Sequence, residues 1–174
     1  AQTFPLMPKK RWVYVQIGRS PQPALQQRMA QDFRADSFFF PLNGDTLAIA
    51  AITQAIDTGK YDAVVAAVFT DVRTGRPSNN FNIGNAALQL WDSLQKYNPA
   101  TFLFGNVYAA KNFVQSPTLV AMHQDDVAFQ QAAADFLRGS ISSNGSLAVT
   151  VKDLPYGTGY AVNNRVPVGV SPQW

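Results

Sequence analysis

The sequence predicts an α/β protein: a three-layer α/β/α sandwich on a mostly parallel sheet of about six strands, flavodoxin-like in outline. Three observations lead there. Short apolar, strand-like runs alternate along the chain with longer runs whose apolar residues recur at helical spacing. The run from Ala63 to Phe69 (Ala-Val-Val-Ala-Ala-Val-Phe) is apolar at every position, as a central parallel strand covered by helices on both faces requires. Pro41, Gly59, Pro99 and Gly139 stand where strands or helices have to stop.

Each element can be justified in turn. Trp12 to Ile17 alternates large apolar and β-branched residues until Gly18-Arg19-Ser20-Pro21 breaks the pattern. Pro23 to Phe33 follows as a helix, with Ala24, Leu25, Met29, Ala30 and Phe33 at helical spacing. Ser37 to Phe40 is a second short strand closed by Pro41, and Asn43-Gly44-Asp45 opens a helix from Thr46 to Thr58 that Gly59 stops. After the central strand comes a polar loop from Thr70 to Asn82, then a helix from about Ile83 to Tyr97 carrying Ala87, Leu88, Leu90, Trp91 and Leu94. Pro99 leads into the strand Thr101 to Phe104, and Thr118 to Met122 is the fifth strand candidate. Asp125 or Asp126 caps an Ala-rich helix that Gly139 ends, and Leu147 to Val151 is read as a sixth strand, either parallel or an antiparallel edge. From Leu154 onward Pro and Gly recur. The expected division is therefore a sandwich domain, residues 1–153, and an extended arm or linker, residues 154–174.

The 174 residues suit one domain with a conventional core. Charged residues make up 14% against 47% hydrophobic, fewer charges than a free-standing domain usually carries, so part of the surface is expected to lie under a neighbour. All 11 acidic residues are aspartates, so any carboxyl chemistry falls to aspartate. With no cysteine, disulfides, thiolate nucleophiles and Cys-ligated zinc are excluded. The net charge of +3 is scattered, and its one run, Lys9-Lys10-Arg11, reads as the solvated entrance to the first strand and not as a nucleic-acid or membrane patch. No apolar run reaches the roughly 18 residues of a membrane span. Ala1-Gln2-Thr3-Phe4-Pro5 lacks the charged start and apolar centre of a signal peptide, which leaves room for a segment cut from an exported precursor. Gly18-Arg19-Ser20-Pro21 has neither a dinucleotide nor a nucleoside-triphosphate glycine pattern, and no cofactor is expected.

The last third of the chain carries a family likeness. Phe129-Gln130-Gln131-Ala132-Ala133-Ala134-Asp135-Phe136-Leu137-Arg138-Gly139, then Asn144-Gly145 and Leu147-Ala148-Val149-Thr150, resembles the closing helix, loop and strand of the C-terminal α/β sandwich domain of family 3 glycoside hydrolases. Upstream, Phe102-Leu103-Phe104-Gly105-Asn106-Val107-Tyr108-Ala109 resembles that domain's apolar strand and its Gly-Asn-Pro-Tyr turn, and the two motifs stand in the family's order. Val107 and Ala148 occupy positions where the family has proline, and Ser146 one where it has a basic residue. The bacterial β-N-acetylhexosaminidase branch is the closer likeness.

The resemblance implies a non-catalytic second domain supporting an N-terminal catalytic barrel, its partner, and lending loop residues to the rim over an amino-sugar oligosaccharide. It also implies an exported or periplasmic setting. In the family the nucleophilic aspartate lies on the barrel, of which this chain contains nothing. Retaining hydrolysis by two carboxyls places them about 5 Å apart. β-Glucosidase members take a glutamate acid/base from this second domain, whereas the N-acetylhexosaminidase branch uses a His-Asp pair on a barrel loop. Absence of glutamate fits the latter. The alternative is an autonomous flavodoxin-like module binding a small ligand or a protein; a third reading gives the parent a barrel that has lost its chemistry.

Ligand contacts in open parallel sheets gather where loops leave the carboxyl ends of strands, here the loops beginning at Gly18, Thr70, Gly105 and His123. The substrate-rim candidates are Asp71, Arg73, Arg76, Asn106, His123 and Asp125. Asp71, Arg73 and Arg76 carry charges suited to sugar hydroxyls or a partner loop, though ion pairs within a loop are the commoner use of such charges. His123-Gln124-Asp125-Asp126 has the composition of an acid/base pair or a metal site. Adjacent side chains in a tight turn do not converge, one aspartate is needed as a helix cap, and a lone histidine is a poor zinc set. No catalytic residue and no metal are expected. Asn144-Gly145-Ser146 matches a glycosylation sequon but is first a turn signal. Phe38, Phe39, Phe40, Trp91 and Phe129 are read as core, Tyr160 and Trp174 as exposed.

Overall fold

A computed structural model describes residues 10–19, 23–71 and 74–163, so the expectations for Arg73 and Trp174 lie outside the described residues. Five strands form one parallel sheet: β1 (Trp12–Ile17), β2 (Asp36–Phe40), β3 (Ala63–Phe69), β4 (Ala100–Phe104) and β5 (Thr118–Ala121), in the order β2-β1-β3-β4-β5. Helices α1 (Ala24–Phe33) and α4 (Val127–Arg138) cover one face, while α2 (Leu47–Gly59) and α3 (Asn85–Leu94) cover the other. The α/β/α sandwich is thus present, with five strands where about six were expected.

The alternation of side chains across each strand builds two separate cores. Val13, Val15, Ile17, Val64, Ala66, Val68 and Leu103 meet Ile52, Ile56, Ala87, Leu90, Trp91 and Leu94 on the α2/α3 side. Trp12, Tyr14, Val65, Ala67, Phe69, Phe102 and Phe104 meet Leu25, Met29, Phe33, Ala133, Ala134 and Leu137 on the α1/α4 side. Ala133 and Ala134 let α4 lie close against the sheet, and Phe69 stacks on Phe104 with ring centroids 4.5 Å apart. Arg28 ties the two helices of this face together, bonding Asp32 of α1 at 2.7 Å and Asp135 of α4 at 2.8 Å. Burial pushes the Tyr14 hydroxyl far above the usual phenol range.

Helix ends follow local chemistry. Asp45 accepts from the Leu47 amide (2.9 Å) to start α2, Asp126 accepts from the Phe129 amide (3.0 Å) to start α4, and Gly139 ends α4 in the left-handed region (φ 78°). Two expectations need correction. Gly59 is the last residue of α2, where it lies against the Tyr61 ring, and Lys60 makes the left-handed stop (φ 51°). The helix expected from Ile83 to Tyr97 runs Asn85–Leu94 and tightens into a 3₁₀ turn, Gln95–Tyr97.

Residues 147–151 do not join the sheet. Leu147 donates to the Thr158 carbonyl (2.8 Å) and accepts from Gly157 (2.9 Å), while Val151 exchanges two 2.8 Å bonds with Leu154. The backbone groups of Leu147 and Val151 are thus taken by the returning chain and not by β5. Val151 nevertheless buries its side chain in the α2/α3 core. The strand-like composition reported burial, not sheet pairing. Ser143 and Val162 exchange hydrogen bonds of 3.0 and 2.6 Å, folding residues 154–163 back on 143–151. Tyr160 is 86% exposed, as read from the sequence, but Phe39 departs from the core assignment at 38% because β2 is an edge strand.

Two tests follow from this packing. Gly18 has φ +81°, and a Cβ there would lie 2.5 Å from the Phe69 carbonyl oxygen; Gly18→Ala is expected to lower stability by about 1–3 kcal/mol, read from urea unfolding. Asp57 accepts from the Tyr97 hydroxyl (2.6 Å) and from Lys96 (3.0 Å), bonds that hold its carboxyl below the usual range. A carboxyl lowered by folding contributes stability above its unfolded pKa and loses it as pH falls through the folded value. Melting curves of the parent and Asp57→Asn should therefore differ at neutral pH and converge on acidification below the usual carboxylate range.

Candidate functional site

Strand order reverses beside β1, since β2 adds to one side and β3 to the other, so the crevice at the carboxyl ends of β1 and β3 is the topological switch point. Gly18 closes the end of β1, donating to the Phe40 carbonyl at 2.8 Å. Arg19 then takes a left-handed conformation (φ 58°) and lays its guanidinium over the Phe69 ring, 5.9 Å from its centre. From there it donates to the Asp125 carboxylate (2.7 Å) and carbonyl (2.8 Å). The buried Gln130 completes a clasp: its amide donates to the Asp125 carbonyl (2.7 Å) and its oxygen accepts from the Leu25 amide (3.2 Å). Asp125, a rim candidate, thereby holds the starts of α1 and α4 together.

Asp71 follows the central strand and organises the next loop. Its carboxylate accepts from the Thr74 amide (3.1 Å), the Thr74 hydroxyl and the Asn82 side chain (3.2 Å). Asn79 accepts from the Arg76 amide (2.6 Å) and donates to the Thr74 carbonyl (3.0 Å), and Asn112 donates to Asn80 at 3.0 Å. These bonds hold Asn80, Phe81 and Asn82 in three successive left-handed conformations (φ 50°, 59° and 60°), with Phe81 buried beneath Lys111. For a buried aromatic residue that backbone is costly, and it persists because its surroundings over-determine it. The Arg76 guanidinium donates to the Gly75 carbonyl at 3.0 Å.

Asn106 is fixed from two directions. Thr70, at the exit of β3, donates its hydroxyl to the Phe104 carbonyl (3.0 Å) and accepts from the Asn106 amide (2.8 Å), while the Asn106 side chain accepts from the Tyr108 amide (3.0 Å). His123 is exposed with φ 48°, and the Asp125 carboxylate beside it in sequence faces Arg19. The structure thus gathers Asp71, Arg76 and Asn106 at the exits of β3 and β4, and gives Asp125 to the α1/α4 clasp. Sequence reasoning missed Arg19, Gln130, Thr70, Asn79 and Asn82. The Asn79-Asn80-Phe81-Asn82 run was the available signal, since asparagine is the residue that tolerates left-handed turns.

Chemically, this edge offers hydrogen-bonding groups on a rigid frame. Both rim carboxylates already have donors of their own, and no group of three or more metal-ligating side chains occurs among the described residues. No described helix is long and apolar enough to cross a membrane.

These features define a doubly wound parallel α/β domain whose described polar residues at the carboxyl edge bond largely to one another. No protein-family profile and no curated protein sequence matches the chain. Solved structures do match its fold. One is a family 3 β-N-acetylglucosaminidase from Paenibacillus sp. strain FPU-7, with a TM-score of 0.65, 13% identity, 84% of this chain covered and 28% of that one. Another is a fungal multi-domain family 3 β-N-acetylglucosaminidase with a GCN5-related glucosamine N-acetyltransferase region, with a TM-score of 0.62, 15% identity, 92% of this chain covered and 17% of that one. The chain therefore spans less than a third of either neighbour, and the shared feature is the fold.

Removing the Asp71 carboxylate tests the role assigned to it. Asp71→Ala should leave the sheet folded while amide exchange at Thr74 and across residues 76–82 rises, measured by hydrogen exchange against the amides of β3 as reference.

Proposed function

We propose that this chain is the second, non-catalytic domain of a family 3 glycoside hydrolase of β-N-acetylglucosaminidase-like type. In this reading residues 1–153 form the sandwich and 154–174 the arm, and the domain supports a catalytic barrel elsewhere in the parent protein. The observation that carries the proposal is the match of most of this chain to a minor part of two such enzymes, at TM-scores of 0.65 and 0.62. The chemistry of the carboxyl edge supports it. Retaining hydrolysis needs two groups straddling the scissile bond, and here Asp71 is occupied by Thr74 and Asn82, and Asp125 by Arg19. Among the described candidates the rim role falls to Arg76, Asn106 and His123, toward an amino-sugar oligosaccharide held by the barrel.

An autonomous flavodoxin-like binding module would use the switch point. There Arg19 lies over Phe69 and is committed to Asp125, which favours the supporting role.

The isolated 174 residues are expected to show no turnover of aryl N-acetylglucosaminides. Turnover that disappears in Asp71→Asn or His123→Ala would overturn the proposal. The coding sequence upstream decides between the readings: a barrel of roughly 250 residues supports this one, and an unrelated domain supports the binding module.

A further inference from the structure

The chain contains two Asn-Gly dipeptides, Asn43-Gly44 and Asn144-Gly145; both asparagines are exposed, and the fold treats the two glycines in opposite ways. At Asn43-Gly44 the glycine N–H donates to the Pro41 carbonyl at 3.1 Å, and a Cβ on Gly44 would lie 2.5 Å from the Phe40 ring. The Asn43 oxygen in turn lies against Gly84. At Asn144-Gly145 both residues are exposed, neither the Asn144 side chain nor the Gly145 N–H has a hydrogen-bond partner among the described residues, and a Cβ on Gly145 would have nothing within 4 Å.

We propose that Asn144 is a site of spontaneous deamidation in the folded protein and that Asn43 is protected. The Gly145 amide nitrogen loses its proton to solvent base and attacks Cγ of Asn144. The new N–Cγ bond closes a five-membered imide, the Cγ–Nδ2 bond breaks, and Nδ2 leaves as ammonia with a proton from solvent. Water then opens the imide at either carbonyl, giving aspartate or isoaspartate, with no oxidation or reduction. Glycine favours closure because it places no Cβ beside the attacking nitrogen. At Asn43 the same nitrogen has its hydrogen held by Pro41, and the Phe40 ring restricts the movement that closure needs.

The product acts on the structure as well as on charge. Each conversion adds one negative charge, taking the formal net charge from +3 to +2. Isoaspartate also inserts a methylene into the main chain between Ser143, bonded to Val162, and Leu147, bonded to Thr158 and Gly157. Those bonds are what fold residues 154–163 back, so the isoaspartyl form should hold that segment less firmly.

The test incubates the full chain in mildly alkaline buffer, with and without urea, and follows tryptic peptides by mass spectrometry. Gly139–Lys152 contains Asn144 as its only amide side chain, and Ala35–Lys60 contains Asn43. Expected in buffer is gain of the aspartyl mass and an isoaspartyl peak at Asn144 while Asn43 stays intact; in urea the two should react at similar rates. Gly145→Ala, whose methyl meets open space, should suppress the reaction at Asn144 in both conditions with an unchanged circular dichroism spectrum. Equal rates at the two sites in buffer would overturn the proposal, as would an Asn144 that reacts in urea but not in the folded chain.

Discussion

A parallel strand flanked by strands on both edges and bearing Val64, Val65, Ala66, Ala67 and Val68 has no side that can face water. Both faces must be covered, and helices that enter and leave the sheet by right-handed crossovers can cover both only if strand order reverses partway. Here β1 and β3 bear that reversal, with α1 and α4 on one face and α2 and α3 on the other. The requirement also sends every loop of chemical interest to the same edge of the sheet.

What those loops do with their polar groups separates a frame from a reactive centre. A catalytic carboxylate must meet its substrate with a lone pair available and a pKa set for proton transfer or attack. Asp71 and Asp125 instead accept from donors of their own chain. The costly left-handed turn at Asn80, Phe81 and Asn82 belongs to the same economy of position: it is held by asparagine bonds and by burial of Phe81. Residues 74–82, held by these bonds, present a defined surface, as the proposed supporting role requires.

Much of the architecture was legible from residue order. All five strands and four helices follow from apolar runs and their spacing, and Asp45, Asp126 and Gly139 mark ends through bonds made within a few residues of themselves. Misreadings arose where the deciding partner is remote or unspecific. The Leu147–Val151 run has the composition of a strand, but propensity cannot name the neighbour that takes its backbone bonds, and here it was the returning chain around Thr158 and Leu154. The kinked turn 77–82, with its left-handed residues, and the 3₁₀ turn 107–112 carry no apolar periodicity that would announce them. At the candidate site, Arg19 and Asp125 are separated by 106 positions, so nothing local announces their pairing. Sequence alone located the loops and some of their residues; which side chains were already taken depended on folding.

Residues 147–158 fold back on themselves and leave the sheet without a further strand on the β5 side among the described residues. Among the described residues β5 remains the outermost rung on its side, with one flank of peptide groups unpaired, while β2 closes the other side and opens on the charged Asp36. An open rung invites recruitment by a stray extended chain, and brevity is among the defences available to it. Only four residues long, β5 offers a short template for such pairing.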